Sequence, residues 1–428
     1  MASMSPGCWG IRLDAPAQQQ NRCQAKLNIA RDPDMNQSLP LLTPLRGIAA
    51  LMVVLFHARL LLFPQWMESI AGHTQLIENG YLWVDLFFIL SGLVLAHVYG
   101  EAFSHTPRTL GYGRFLWLRL TRVYPLYFVT LVLLVGWELY KARHGVGFYA
   151  GPLFKMWEWE GMPPFGSPFT PAEALPSAFL LLQVVTDHGL TWNFAAWSLS
   201  VEWISYLLFP LLIPLAVTRS RWSHLAPLLA LTALAFIVHS RGTLDVTSGA
   251  LAVGRGVSEF VLGLWLLPRV KAARHLPMMQ RDLPILIAFV LPFALMQFTM
   301  TPQLTLLLIS SYVLLIWIAA CQSDRQSPLL RLLDNRVTNW LGDLSYSIYL
   351  LHALVLLTGC EMIHYLAPGL TDWWYAQTHP LLGVVATLLM LAVLIGLSAL
   401  SYNLLERPLQ RRLRRWGKAR QPVMEQAG

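Results

Sequence analysis

Long apolar runs alternate with short polar connections along most of the chain. Ten of these runs approach or exceed the length that a helix needs to cross a hydrocarbon core of about 30 Å, which is about 20 residues. The pattern therefore predicts an all-α fold, a polytopic transmembrane helical bundle of about ten spans. The predicted spans are residues 43–63, 81–99, 123–140, 196–217, 225–240, 250–267, 284–299, 303–320, 341–360 and 381–405.

Two segments between the spans are treated separately. The apolar run at residues 175–185 is too short to cross the core, so we leave it unassigned as a re-entrant or interfacial piece. The long connection at residues 141–195 is rich in proline, glycine and aromatic residues. Long loops of this kind are often functional. Two interpretations stay open here, a lid over an acceptor site and an ordinary interfacial cap.

The composition excludes two classes of protein. The 428 residues are 55% hydrophobic and only 13% charged, with a mean hydropathy of +0.50. About a quarter of the residues in a soluble domain are charged, so a soluble enzyme is excluded. A chain with 17 Trp, 19 Phe and 14 Tyr also has too much apolar surface for disorder. The four cysteines form no CxxC pair, so we expect free thiols and no metal site.

Lysine and arginine concentrate in the two tails and in every second connection between the spans. By the positive-inside rule, this distribution predicts that both termini are cytoplasmic. Contact with membrane lipids then accounts for the net charge of +8, and nucleic acid is not expected as a partner.

Three regions follow from this topology. Residues 1–42 are polar and lack the apolar stretch of a signal peptide, so they are predicted to be a disordered cytoplasmic tail. Met35 is an alternative start within this tail. Residues 43–408 are predicted to form one integral-membrane domain, and residues 409–428 a basic cytoplasmic tail.

Six ionisable residues fall inside the predicted spans, where each costs about 2.5 to 3.5 kcal/mol on insertion scales. They are His57, Asp85, Glu202, Arg255, Glu259 and His352. With a rise of about 1.5 Å per residue, all but Glu259 lie in one layer of the outer half of the membrane. This layer indicates a functional polar centre, either a catalytic pocket or a transport pathway. Arg255 and Glu259, four residues apart, can instead form a structural ion pair.

A second set of charges is predicted at the cytoplasmic end of the bundle. Arg46 and His57 are eleven residues apart, so both lie on one face of the first helix. Arg119 and Arg122 add two cations at the same end, beside Pro125. The guanidinium fork suits a phosphate-rich ligand. Positive-inside anchoring is the alternative explanation for these arginines.

Several segments, in order, resemble the integral-membrane acyltransferase-3 family, which includes bacterial O-acetylases of surface polysaccharides. The segments are LRGIAALMVVLFHA (45–58), VDLFFILSG (84–92), RLTRVYPLY (119–127), WSLSVEWISY (197–206), RGVSEFVLG (255–263), LGDLSYSIYLLH (341–352) and ERP (406–408). The resemblance implies a stand-alone enzyme of the bacterial inner membrane. It implies transfer of an acyl group, usually acetyl from acetyl-CoA, to a hydroxyl of a carbohydrate or lipid-linked glycan. No permanently bound cofactor is implied.

The resemblance also assigns motif positions. It implies that Arg46 and His57 form the functional core, and that Arg119 and Arg122 form the RxxR motif before a proline. The remaining motif positions are Phe87, Phe88, Ser91, Gly92, Glu406 and Pro408. On this basis Arg46, Arg119 and Arg122 are expected to hold the phosphates of CoA.

Transfer to a hydroxyl needs a general base, and we expect His57 to act as that base. Asp85, Glu202 or His352 is expected to orient it, as the acid of a catalytic triad does. The candidates for contact with the substrate or the oxyanion are Ser91, Trp197, Ser198, Arg255, Ser345 and Tyr346. A covalent relay through Ser91 stays open beside direct transfer.

Two other classes of function compete with this hypothesis. A secondary transporter also places charges near mid-membrane, but it is expected to show repeat symmetry and matching broken helices, which this sequence lacks. A binding or scaffold protein would not need the buried histidine and carboxylate layer.

Overall fold

The computed structural model describes residue 39 and residues 41–104, 110–186, 189–217, 221–322 and 327–419. Within these ranges the chain is helical and contains no strand, as predicted. Most of the predicted N-terminal tail, residues 1–42, and the last nine residues of the C-terminal tail lie outside them.

Every predicted span corresponds to a helix of at least 14 residues. The ten helices are α1 (Leu42–Leu61), α2 (Trp83–Ser104), α3 (Tyr112–His144), α4 (Ala196–Val217), α5 (Leu225–Arg241), α6 (Gly249–Ala273), α7 (Asp282–Leu295), α8 (Pro302–Cys321), α9 (Arg336–Ala353) and α10 (Pro380–Ser401). Eight are long and apolar enough to cross a membrane, whereas α5 and α7 have only 17 and 14 residues. The chain is therefore a multi-pass membrane protein.

Two of the long helices, α9 and α10, continue through a π-helical turn into a further helix. After α9, a π-helical turn (Leu354–Thr358) leads into a further helix (Gly359–Leu366). After α10, a second π-helical turn (Tyr402–Glu406) leads into a C-terminal helix (Arg407–Ala419). Part of the predicted basic tail is thus an ordered helix that continues from the last span.

Short helical segments connect the long helices. The α-helical ones are Met67–His73, Pro152–Met156, Leu175–Phe179, Pro328–Leu333 and Pro368–Tyr375. The 3₁₀ turns are Pro64–Trp66, Glu78–Leu82, Ala172–Ala174, Gln183–Thr186, Arg221–His224 and Pro277–Gln280. Residues 175–185, which were too short for a span, accordingly form a helix of five residues followed by a 3₁₀ turn.

Glycines allow two pairs of helices to pack with their backbones in contact. Where α1 crosses α9, a Cβ atom added to Gly342 would lie 2.0 Å from the carbonyl oxygen of Thr43. Where α2 crosses α6, a Cβ atom on Gly263 would lie 2.0 Å from the carbonyl oxygen of Ile89. Gly92, on the α2 side, has the same relation to Phe260 at 2.1 Å. Close packing at small residues drives helix association in membranes, so these crossings fix the core of the bundle.

The long connection at residues 141–195 is held to the bundle by buried charges. The Lys141 ammonium lies 2.7 Å from the Glu138 carboxylate and 2.9 Å from that of Glu361, and all three side chains are at most 3% exposed. Glu138 also accepts hydrogen bonds from the backbone N–H of Phe165 and the hydroxyl of Thr170, both at 2.9 Å. These contacts favour a fixed cap over a mobile lid.

We predict that Gly263→Ala and Gly92→Ala destabilise the protein, because the added methyl groups would meet backbone atoms that cannot rotate away. Overpacking of this kind costs about 1 to 3 kcal/mol. Gly136→Ala and Gly396→Ala are matched controls, since both glycines lie inside helices with nothing within 4 Å of the added atom. The measurement is the thermal unfolding midpoint of the purified protein in detergent. Equal midpoints for all four variants would contradict the packing argument.

Candidate active site

The crossing of α1 and α9 brings two histidines into contact inside the bundle. Nδ1 of His57 lies 3.3 Å from Nε2 of His352, and the two rings are 5.0 Å apart. The ring of Phe194 packs against both, at 4.8 Å and 5.3 Å. His352 is fully buried and His57 is partly exposed. The predicted pair of functional histidines is therefore one site.

The partners of the two rings determine which nitrogen carries a proton. Nδ1 of His57 lies 2.9 Å from the carbonyl oxygen of Val53, and Nδ1 of His352 lies 2.6 Å from that of Tyr349. Because a carbonyl only accepts, each Nδ1 is protonated in the neutral ring. Nε2 of His352 then accepts from His57. Nε2 of His57 keeps a lone pair and has no hydrogen-bond partner among the described residues, so it is available as a base.

Asp85 does not orient His57, contrary to one of the options from the sequence. Its two oxygens accept from Nε and Nη2 of Arg255, at 2.7 Å and 2.8 Å, and both side chains are fully buried. The oxygen of Glu259 nearest to Arg255 is 3.9 Å away, so the expected pair within α6 is the weaker contact. The prediction failed because equal depth in the membrane does not specify which way a side chain points around its helix.

The same ion pair removes Arg255 from the candidates for the oxyanion donor. Its guanidinium is engaged by Asp85 and lies 5.3 Å from the ring centre of Trp197. Neither Arg255 nor Trp197 lines the cavity described below. These residues brace α2, α4 and α6 beside the site.

A cavity of about 460 Å³ runs along the inside of the bundle. We call it the main cavity. Its lining residues are Arg46, Val84, Phe87, Phe88, Leu90, Ser91, Val94, Leu95, Val98, Tyr99, Arg119, Arg122, Ser198, Leu199, Glu202, Tyr206, Ser345, Tyr346, Tyr349 and Arg414. The three arginines predicted from the sequence therefore share one cavity with Ser91, Glu202 and Ser345. We call the end with Arg46, Arg119, Arg122 and Arg414 the basic end.

The opposite end of the main cavity meets the histidine pair at Tyr349. The hydroxyl groups of Ser198 and Tyr349 are 2.7 Å apart, and both residues line the cavity. The ring of Tyr349 also lies 5.7 Å from the ring of His352 and 5.8 Å from that of Phe87. Tyr349 thus contacts both the cavity and the histidine pair, and it forms the wall between them.

Glu202 lies on the cavity wall rather than beside the histidines. Its carboxylate accepts a hydrogen bond of 2.8 Å from Ser91 and another from Tyr206. Ser345 is fully buried on the same wall, and its hydroxyl has no hydrogen-bond partner among the described residues. The free hydroxyl of Ser345 is therefore available to a ligand, whereas the hydroxyl of Ser91 donates to a carboxylate.

The remaining predicted residues have structural partners. Tyr346 donates its hydroxyl hydrogen to the carbonyl oxygen of Val123, which ties α9 to α3. Glu406 accepts from Ser347 at 2.5 Å and from Ser401 at 3.1 Å. Pro408 lies in the first turn of the C-terminal helix, and Gly92 lies at the α2–α6 crossing.

The sequence analysis missed Tyr349, Tyr206 and Arg414. A signal existed for Tyr349, because it follows Ser345 by four residues and precedes His352 by three, which places all three on one face of α9. The same spacing links Tyr206 to Glu202 on α4. Arg414 gave no such signal, because the tail that contains it reads as a run of basic residues.

Comparisons with known proteins identify the family of the chain. The sequence profile described as Acyltransferase domain (Acyl_transf_3) matches residues 42–401. Acyltransferase MdmB of Streptomyces mycarofaciens is 26% identical over 409 residues, which cover 90% of this chain and 94% of the relative. The putative peptidoglycan O-acetyltransferase YrhL of Bacillus subtilis (strain 168) is 25% identical over 402 residues, 87% of this chain and 55% of the relative.

A third relative matches a shorter segment. Protein 2 in picA locus of Rhizobium radiobacter is 41% identical over 107 residues, 24% of this chain and 49% of the relative. The chain therefore spans about half the length of Protein 2 in picA locus and of YrhL. No solved structure matches the chain at a significant level. The profile covers most of the chain, including both histidines, Arg46 and Ser345. The chain therefore belongs to the acyltransferase domain family, and this membership supports an enzymatic role in acyl transfer.

Proposed function

We propose that the protein is an O-acyltransferase of the bacterial inner membrane. It transfers an acyl group, acetyl in the simplest case, from acyl-CoA to a hydroxyl of a cell-envelope carbohydrate or lipid-linked glycan. The observation that carries the proposal is the main cavity, which joins a cluster of arginines at one end to an imidazole with a free nitrogen beyond the other. With both termini cytoplasmic, the donor enters from the cytoplasm and the acceptor arrives from the opposite side.

The dimensions and lining of the cavity suit an acyl-CoA. Arg46 and His57 are eleven residues apart on one helix, a separation of about 16 Å along its axis. The arginines of the basic end bind phosphate groups through paired N–H donors. The apolar middle of the cavity, with Phe88, Leu90 and Leu95, accommodates the uncharged thioester arm. Displacement of the Tyr349 side chain then admits the acyl group to the histidine pair.

Direct transfer uses His57 as a general base. Nε2 of His57 takes the proton of the acceptor hydroxyl while the hydroxyl oxygen forms a bond to the thioester carbonyl carbon. The carbon–sulfur bond then breaks, and the sulfur of CoA receives the proton from the imidazolium. His352, which accepts from Nδ1 of His57, stabilises the imidazolium between these two steps. It takes the role that a carboxylate plays in a catalytic triad.

The oxyanion of the tetrahedral intermediate needs a donor that has no other partner. Ser345 meets this condition, because its buried hydroxyl lines the main cavity and is otherwise unpaired. Tyr346 donates to a backbone carbonyl instead, and Arg255 is engaged by Asp85. Ser345 precedes His352 by seven residues, however, or about 10.5 Å along α9, so its hydroxyl does not reach an oxyanion formed beside His57. We therefore assign Ser345 a contact with the thioester arm in the main cavity.

The named relatives support the class of reaction. MdmB is called an acyltransferase, and YrhL a putative peptidoglycan O-acetyltransferase. Transfer to a hydroxyl of an envelope glycan by this chain is consistent with the second name. A transporter is not favoured, because the chain belongs to an acyltransferase family and a histidine pair lies behind the Tyr349 wall of its cavity.

The first prediction concerns the base. We expect His57→Gln to lower kcat for acetyl-CoA-dependent transfer by about 10² to 10⁴-fold, because glutamine cannot take the proton. The KM for acetyl-CoA changes little, since His57 lies beyond the phosphate-binding end. The assay is release of free CoA by the protein in proteoliposomes with a pooled cell-envelope glycan as acceptor.

A matched control comes from α5. Nδ1 of His239 lies 2.8 Å from the carbonyl oxygen of Ala235, four residues earlier, which is the same contact that His57 makes with Val53. His239 is exposed and does not line the main cavity. His239→Gln is expected to keep full activity. Activity of His57→Gln equal to that of the control would show that another group is the base.

The second prediction separates direct transfer from a covalent relay. We expect Ser345→Ala to raise the KM for acetyl-CoA by about 3- to 10-fold with little change in kcat, because it loses one hydrogen bond to the thioester arm. Ser91 lines the same cavity, and Ser91→Ala is the paired control. If transfer is direct, this variant stays active. The measurements are CoA release and mass spectrometry of the protein quenched during turnover. An acetyl group on Ser91, together with an inactive Ser91→Ala, would contradict direct transfer.

A further inference from the structure

A second cavity of about 270 Å³ lies beside the main cavity at the basic end. Its lining residues are Arg46, Thr121, Arg122, Pro125, Asp343, Tyr346, Tyr402, Glu406, Arg407, Gln410, Arg411 and Arg414. Arg46, Arg122, Tyr346 and Arg414 line both cavities. Because the two cavities share these four residues, one elongated ligand can extend from the main cavity into the second.

One wall of the second cavity is a single face of the C-terminal helix. Arg407, Arg411 and Arg414 follow each other at spacings of four and three residues, so they lie on the same side of this helix. Arg412 and Arg415 lie on the same helix and line neither cavity. All five arginines are exposed, and the helix therefore turns three of them towards the second cavity and two away from it.

Backbone contacts hold this face in position. Nη2 of Arg114 donates to the carbonyl oxygen of Arg414 at 3.1 Å, and Nε1 of Trp117 donates to that of Leu413 at 3.1 Å. Both donors lie on α3, two to eight residues before Arg119 and Arg122. The helix begins at Arg407, after the end of the family match at residue 401. Its arginines therefore lie outside the matched segment.

The second cavity has an excess of positive charge. Five arginines line it, against the carboxylates of Asp343 and Glu406. Glu406 is already engaged by the hydroxyls of Ser347 and Ser401. Within the described part of the chain, none of the five arginines lies within 4.0 Å of a carboxylate oxygen. Five cations that outnumber the two carboxylates of a shared cavity, and pair with neither, favour a ligand with several negative charges.

We propose that the second cavity binds the nucleotide end of the acyl donor and that Arg411 recognises its 3′-phosphate. This inference rests on the proposed function, in which the donor is an acyl-CoA. CoA carries a diphosphate between the thioester arm and the nucleoside, and a further phosphate on the ribose. With the arm in the apolar main cavity, the diphosphate meets the shared Arg46, Arg122 and Arg414. The ribose phosphate then reaches Arg411 on the C-terminal helix, which lines the second cavity but not the main one.

The test is equilibrium binding of CoA and of dephospho-CoA, which lacks the 3′-phosphate. The full chain is held in phosphatidylcholine nanodiscs and binding is measured by calorimetry. We expect the wild type to bind CoA about tenfold more tightly than dephospho-CoA, as a hydrogen bond between charged groups predicts. In Arg411→Gln this preference is lost, because CoA binding weakens while dephospho-CoA binding stays within about twofold. Arg414→Gln weakens the binding of both ligands, since Arg414 lines both cavities.

Arg412→Gln and Arg415→Gln are the matched controls and keep the preference of the wild type. An unchanged preference in Arg411→Gln would overturn the inference, and so would an equal loss in Arg412→Gln, which would indicate a general effect of charge. An effect confined to discs that contain phosphatidylglycerol would mean that the helix binds lipid headgroups instead. A wild type that binds neither ligand would overturn the acyl-CoA donor itself, so the two failures are distinguishable.

Discussion

The close crossing of α1 and α9 determines where the chemistry of this protein lies. The two helices run parallel, and Gly342 packs directly against the backbone of α1 at Thr43 and Gly47. Gly47 and Gly342 are 295 residues apart in sequence, and so are His57 and His352. The register set by the glycines is therefore kept for about ten residues, or almost three helical turns. A larger residue at either glycine would separate the imidazoles that the site depends on.

A buried ion pair supports the other side of the cavity. Asp85 on α2 and Arg255 on α6 form two hydrogen bonds in a place where neither group reaches solvent. Removing one partner of such a pair costs several kcal/mol, because the other charge is left uncompensated. The pair joins the same two helices as the α2–α6 glycine crossing, so packing and charge both hold them together. The helix that carries Phe87, Phe88 and Ser91 to the cavity wall is thereby fixed.

Hydrophobic periodicity predicted the bundle well, because the need for apolar spans of a set length leaves few alternatives. The shared depth of the ionisable residues predicted a polar layer, and two of these residues, His57 and His352, are in contact in the structure. Depth says nothing about the direction of a side chain around its helix, however. For that reason the sequence could not distinguish Asp85, which pairs with Arg255, from His352, which contacts His57. The ordered C-terminal helix was also missed, since a run of arginines looks the same whether it is solvated or lines a cavity.

The central claim is that the main cavity delivers an acyl group from the basic end to an acceptor that comes from the opposite side of the membrane. The most direct test is a sided transfer assay in sealed proteoliposomes, with protein orientation determined by the accessibility of a C-terminal tag. Radiolabelled acetyl-CoA is supplied on one side and the glycan acceptor on the other. We predict labelled glycan only when acetyl-CoA is on the side of the basic end and the acceptor is opposite. Transfer that requires both substrates on one side, or that is absent in every arrangement, would contradict the account.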